Sequence, residues 1–351
     1  MLKRAVFFLL FIPFTVAAQY RITGRVVDAG TKKPVPDASV FLSNASAGTK
    51  TNGDGTFTLT NVRGGQYEMV ISFVGYATYK QTIMVNKDVS LPDVPLEQQT
   101  VQLKEVRIGP DKHWEEHYAR FKRGFLGNTD NAAQCTILNP HVLDFDINDG
   151  EFAASAEDFL LIENKALGYR IKYMLTIFSE NPKTGRLYFE GEAFFENMKG
   201  RKGQIKRWNK NRLVTYQGSD MHFLRSVIAG RVKEEGFLVQ RLIKTPNPAY
   251  KGGLDNKYTE TLVTTPLAIG EYASLTDQKG EYALTFKDCL NITYNNNPLS
   301  GSILNIDSGP GYVYFDNNGI ILNPQNVTME GSWGDRKMGE LLPVDYEPPQ
   351  K

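Results

Sequence analysis

The chain has 351 residues, 41% hydrophobic and 23% charged, which is enough apolar content for a sizeable core and enough length for two domains of roughly 100–200 residues. The formal charge is +1, and without Lys3 and Arg4 the balance is 38 basic against 39 acidic residues, so neither nucleic acid nor an anionic membrane surface is an expected partner. The 17 Tyr and 20 Phe, with few Leu-rich periodic runs, lean toward β structure.

Residues 1–18 read as a secretion signal. Met1-Leu2-Lys3-Arg4 is a basic start, residues 5–14 are apolar but short for a spanning helix, and Val16-Ala17-Ala18 places small residues before a cleavage site at Gln19. An uncleaved anchor is the competing reading. No Cys follows the apolar run, which argues against a lipid anchor. No later stretch approaches the ~18 apolar residues of a spanning helix. The expected location is the periplasm or the outer-membrane and cell-surface region.

Residues 20–27 alternate polar and apolar, the period of a half-buried strand. Thr31-Lys32-Lys33-Pro34 is a turn, and residues 38–42 form a second strand. Thr51-Asn52-Gly53-Asp54-Gly55 supplies a tight connection into a strand at 57–59. Gly64-Gly65 turns into a strand at 68–73, and residues 79–85 alternate again. Short strands with Gly-rich turns indicate an antiparallel sandwich.

Five motifs in this order carry a resemblance: Gly24-Arg25-Val26-Val27-Asp28, Pro34-Val35-Pro36-Asp37-Ala38-Ser39-Val40, Thr51-Asn52-Gly53-Asp54-Gly55-Thr56-Phe57-Thr58-Leu59, Gly65-Gln66-Tyr67 and Ser72-Phe73-Val74-Gly75-Tyr76. Residues 20–98 thereby resemble the carboxypeptidase regulatory-like family. The resemblance implies a transthyretin-like (prealbumin-like) sandwich, of a kind frequent at the N-terminus of exported envelope proteins, including TonB-dependent receptors. It implies no peptidase chemistry, because in the carboxypeptidases this module stands beside the catalytic domain and holds no zinc ligand.

Residues 86–110 read as a connector, with 91–96 held extended by Pro92 and Pro95, a further strand expected at 101–108, and the linker proper at 99–110. The remaining 111–351 lack the repeated ten-residue amphipathic strands of a receptor barrel. Residues 111–125 read as a helix whose stripe is Trp114, Tyr118, Phe121 and Phe125, stopped by Gly127. Residues 169–178 and 187–195 form a hairpin around a long turn. Ser219 or Asp220 caps a second helix with Met221, Leu224, Val227, Ile228 and Val232 on its apolar face and Gly236 as its stop. Further strands are expected at 237–243, 258–264, 281–286, 290–294, 302–306, 313–315 and 320–321, with an extended tail at 342–349. Segments around Phe125-Leu126-Gly127, Ile137-Leu138-Asn139-Pro140, 162–169, 218–226 and 234–237 resemble a second, functionally uncharacterised envelope family whose members carry the same N-terminal sandwich. That resemblance implies architecture and location, not chemistry.

The most tempting chemical motif is His113-Trp114-Glu115-Glu116-His117. Two His four residues apart share a helical face and can bind one zinc, with Glu116 as general base. The pattern is short, its histidines sit at the edge of the aromatic stripe, and no third ligand is marked. The competing reading is a half-exposed amphipathic helix. His222 and Arg225 project from a similar face of the second helix and could bind an anion or an array of sugar hydroxyls. The plainer alternative is a capped helix with His222 packed on the adjacent sheet. Ser219, Asp220 and His222 within one turn do not make a relay triad. Trp333, flanked by Gly331, Ser332 and Gly334, is a candidate platform for sugar stacking, as are Trp114 and Trp208, with core packing as the alternative. Asp54 begins a calcium-like loop that lacks the remaining ligands, so a β-turn is the better reading. Cys135 and Cys289 either pair or stay as two buried thiols.

The expected fold is mainly β: an antiparallel sandwich over 20–98, then a larger β-rich α+β domain over 111–351 with two short helices. The expected function is a non-catalytic binding or assembly module for an envelope protein or a glycan, through His222, Arg225 and Trp333, with no cofactor. The alternative is a zinc-dependent hydrolase using His113, Glu116 and His117. No pattern fixes the oligomeric state.

Overall fold

The computed structural model describes residues 19–99, 111–252, 257–278, 280–307 and 311–349. The signal at 1–18 and the strand expected at 101–108 lie outside the described residues. The N-terminal region contains β1 (Gln19–Asp28), β2 (Ser39–Leu42), β3 (Gly48–Lys50), β4 (Thr56–Arg63), β5 (Gly65–Ser72), β6 (Tyr79–Val85) and β7 (Val89–Leu96). One sheet runs β4-β1-β7 and the other β3-β2-β5-β6. Alternation along the strands buries Ile22, Val26, Val40, Leu42, Phe57, Leu59, Met69 and Ile71 between them, which is a two-sheet sandwich.

The segment read as an extended connector is in fact the strand β7, parallel to β1. Proline lacks the N–H a central strand needs, and Pro92 and Pro95 are tolerated because β7 is an edge. The sandwich motifs also meet in space. Asp28 accepts hydrogen bonds from the Thr31 amide (2.6 Å) and hydroxyl (2.9 Å), the Tyr76 hydroxyl (2.9 Å) and the Gln98 amide group (2.9 Å). Those bonds, led by the Thr31 amide, hold its carboxyl far below the usual carboxylate range.

The remainder begins with α1 (Trp114–Leu126), followed by β8 (Cys135–Ile137), β9 (Leu143–Asn148), β10 (Glu151–Ala156), β11 (Leu160–Asn164), β12 (Tyr169–Asn181) and β13 (Arg186–Asn197). The long β12 pairs along one edge with β11 and β10 in succession and along the other with β13. The stripe of α1 lies on this sheet: Phe121 stacks on Phe125 (4.9 Å) and meets Phe178 (4.8 Å), while Trp114 and Tyr118 are half-buried at the margin.

Next come α2 (Lys202–Tyr216) and α3 (Asp220–Ile228), then β14 (Phe237–Pro246), β15 (Tyr258–Pro266), β16 (Ala273–Leu275), β17 (Glu281–Leu284), β18 (Cys289–Tyr294), β19 (Asn297–Ile306), β20 (Val313–Asp316) and β21 (Val327–Gly331). They form sheets β15-β14-β18-β19-β21 and β16-β17-β20 over a third core. Helix α3 joins two cores, with Met221 in one and Phe223, Leu224 and Val227 in the other. It ends at Ile228, well before Gly236; Gly230 takes the left-handed backbone just beyond it. Helix α2 is an α-helix beyond the two read from the sequence. Residues 320–321 contribute one isolated bridge, Phe315 to Ile321, rather than a strand.

The tail returns across the molecule. Leu342 enters the core under α1 and Val344 enters the sandwich core. The Val344 amide donates to the Asn44 carbonyl (2.7 Å), and the Asn44 amide donates to the Ala193 carbonyl (2.7 Å). Sandwich, central sheet and tail thus share one seam, and Lys80 and Ser43 both contact buried Glu192 across it.

Candidate functional site

A cavity of about 320 Å³ opens where that seam meets α2. Its floor comes from the hairpin, where Tyr169 and Asn197 are direct cross-strand partners on one face. Helix α2 contributes Asn209 and Arg212, one turn apart and therefore neighbours on its surface. The sandwich adds Ser46, and the tail adds Asp345 and Tyr346.

The position of α2 follows from the turn at 164–168. Asn164, fully buried, accepts the Leu167 amide (3.0 Å) and donates to the Gly339 carbonyl (2.9 Å). This leaves a row of carbonyls facing α2. Trp208 donates its indole N–H to Lys165 O (2.9 Å), Asn211 donates to Ala166 O (2.8 Å), and Arg212 donates Nε to Leu167 O (2.7 Å) and Nη2 to Gly168 O (3.1 Å). Gly168 has φ +71°, and a Cβ there would lie 2.2 Å from the Trp208 ring, so only glycine lets the helix seat.

The Arg212 guanidinium lies 3.8 Å above the Tyr169 ring. Burial pulls its pKa below the ordinary arginine value, and burial pushes the phenols of Tyr169 and Tyr346 up. The cavity therefore presents neutral phenols, planar amides and one guanidinium. Asp345 accepts the Ser46 amide (3.1 Å) and hydroxyl (2.5 Å), and Glu347 pairs with Arg63 (2.7 Å).

A larger groove of about 670 Å³ runs beside α3 and β14, lined by Phe237, Leu267, Ile269 and Tyr272 with Lys233 and Asn296 among its polar groups. The Tyr272 hydroxyl is buried without a hydrogen-bond partner among the described residues. A crevice of about 190 Å³ between Phe41, Phe159 and Phe194 is below the roughly 300–1,000 Å³ range of small-molecule sites.

The residues singled out in the sequence lie elsewhere. His222 is buried in α3; its Nδ1 accepts the Gly218 amide (3.1 Å), its Nε2 is 3.6 Å from Glu235, and its ring packs on Tyr216, Phe237 and Tyr294. Ser219 caps the helix through the His222 amide (3.0 Å). Arg225 spends its guanidinium on the carbonyls of Asn318, Val344 and Tyr346, each at 2.8 Å. Trp333 is buried against Phe223 and donates to Gly218 O (2.9 Å). Trp208 is buried as well, and Trp114 stacks on Tyr118 and His141.

On α1, exposed His113 is 3.5 Å from Glu116, while His117 pairs with Asp111 (2.6 Å) and packs beside Phe145 and Phe152. Among the described residues no group of three or more His, Cys, Asp or Glu is placed to hold a metal ion. Asp54 caps its own turn, accepting from the Thr56 amide (3.0 Å) and hydroxyl (2.7 Å). Cys135 and Cys289 are both buried and unpaired.

The cavity residues went unseen in the sequence because they come from four separate stretches. Tyr169 meets Asn197 only through the register shift between Leu175 and Ile177, which nothing in the alternation of the two strands marks.

No curated protein matches the chain. Among solved structures, a type II cohesin–X-dockerin complex of Acetivibrio cellulolyticus is 19% identical over 22% of this chain and 56% of that one, with a TM-score of 0.20. The pilus 2b backbone protein of group B streptococcus is 22% identical over 23% of this chain and 42% of that one, with a TM-score of 0.20. A DUF3823 family protein of Bacteroides uniformis is 9% identical over 80% and 92%, with a TM-score of 0.18. Likeness at this level carries no argument about function. The family comparison is specific to the sandwich: residues 22–108 match the CarboxypepD_reg-like domain, and the N-terminal part of this chain is a domain of that family.

Proposed function

We propose that the chain is an exported, non-catalytic binding module of the cell envelope whose partner is a glycan, held in the cavity between the sandwich, the central hairpin, α2 and the tail. One observation carries the reading: Asn197, Asn209, Arg212 and two tyrosines converge on a single concave site. Planar amides and guanidinium match the in-plane hydroxyl pairs of a sugar, and the half-buried Tyr346 ring matches its apolar face. The larger groove is lined mainly by apolar side chains and backbone, which suits a sugar less well. Export is supported by the basic start, apolar run and small-residue cleavage site of residues 1–18.

The test uses the chain beginning at Gln19 on a glycan array, beside a pull-down from envelope extracts. The expected result is retention of a glycan class that is lost in an Asn197→Ala, Asn209→Ala double variant, since neither side chain has a hydrogen bond to another described residue to break. An array that stays at background contradicts the glycan reading, whatever protein the pull-down returns.

A further inference from the structure

We infer that the glycan taken by this cavity is acidic, and that Arg212 receives its carboxylate. The inference rests on the binding reading above and names the ligand class of the same site. Three charged side chains besides Arg212 line or border the cavity. Glu347 and Arg63 pair with each other, and Asp345 accepts the Ser46 amide and hydroxyl. Arg212 is the one cation there without an anionic partner among the described residues. Two of its N–H groups go to neutral carbonyls at 2.7 Å and 3.1 Å, and no carboxylate among the described residues lies within ion-pair distance of it. Its Nη1 has no hydrogen bond to any described residue.

The guanidinium is also half-buried, one face covered by the Tyr169 ring. A charge taken out of water is costly unless an opposite charge or a full set of acceptors replaces the water. Carbonyl bonds answer the Nε side only. Nη1, with the second N–H of Nη2 beside it, is left to engage a planar carboxylate through charge-assisted bonds stronger than those to neutral hydroxyls. Asp345 and Glu347, which also line the cavity, disfavour a densely anionic ligand. The site therefore suits a single carboxylate on an otherwise neutral sugar face, as in a uronic acid residue, better than a densely charged polyanion.

The experiment titrates the chain from Gln19 with oligogalacturonate and oligoglucuronate, and with the carboxyl-reduced form of each. The account expects an acidic form to bind about tenfold or more tightly than its reduced counterpart, with affinity falling as salt rises. Asn209→Asp places a carboxylate one helical turn before Arg212 and should weaken the acidic ligand about tenfold more than it weakens the carboxyl-reduced form. Arg212→Lys, which keeps the charge but loses the planar fork, should weaken the acidic ligand too. Equal binding of acidic and reduced forms, an acidic affinity untouched by Asn209→Asp, or binding of neutral array glycans with no acidic probe bound overturns the inference and leaves the glycan reading standing. A silent array overturns the glycan reading itself.

Discussion

Asp28 shows how a motif read as a string of letters becomes a physical device. It ends β1, and Tyr76 lies in a later motif, yet the two share a hydrogen bond that ties the start of the sandwich to its far turn. Because hydrogen bonds hold its carboxyl far below the ordinary value, the folded protein keeps Asp28 ionised at pH values where the unfolded chain binds a proton. Its stabilising contribution is full above the unfolded value of about 3.9 and is lost as the pH falls through the lower folded value. Asp28→Asn should therefore lower the urea midpoint at pH 7, and the gap from wild type should narrow below pH 4. A gap that widens on acidification contradicts this role. His222 and Arg225 illustrate the opposite outcome. Their place on a capped helix was legible, but a sequence cannot tell a ligand's oxygen from a backbone carbonyl of its own chain, and three such carbonyls, two of them in the tail, take the whole of Arg225.

Among the elements, α1 was legible because four aromatics repeat at helical spacing against one sheet. Helix α2 was not, because what it buries is Trp208, then Thr215 and Tyr216 only at its last turn, and a set of polar groups. Asn211 and Arg212 face inward to meet backbone carbonyls, so no apolar stripe marks the helix. The strand β7 escaped for a related reason: its prolines argue against a central strand and are silent about an edge. The seat of α2 gives a sharp prediction. Gly168→Ala combines left-handed backbone with a collision against Trp208, and should cost about 2–5 kcal/mol in urea unfolding while shifting the Trp fluorescence. Trp208→Ala should cost about 3–5 kcal/mol, as for a large aromatic removed from a core. A variant at Gly168 as stable as wild type would mean that α2 does not sit on this turn.

At the scale of the whole molecule, three cores are joined by α3 and by the tail rather than by any continuous sheet. Sequence reading found the sandwich and the β character of the rest. It could not find the seam, because Asn44, Ala193, Arg225 and Val344 are brought together from regions far apart in the chain. Arg225→Ala should remove three bonds from a charged donor, cost about 3 kcal/mol or more, and expose residues 343–349 to limited proteolysis. Unchanged protease resistance would show that the tail is held by other contacts. The same seam forms one wall of the cavity, so loosening the tail should also weaken the ligand. The most direct test of the account is calorimetric titration of the glycan returned by the array against wild type and the Asn197→Ala, Asn209→Ala variant, with unfolding midpoints measured alongside. The account predicts affinity at least about tenfold weaker in the variant at an unchanged midpoint; equal affinities would place the glycan elsewhere and contradict it.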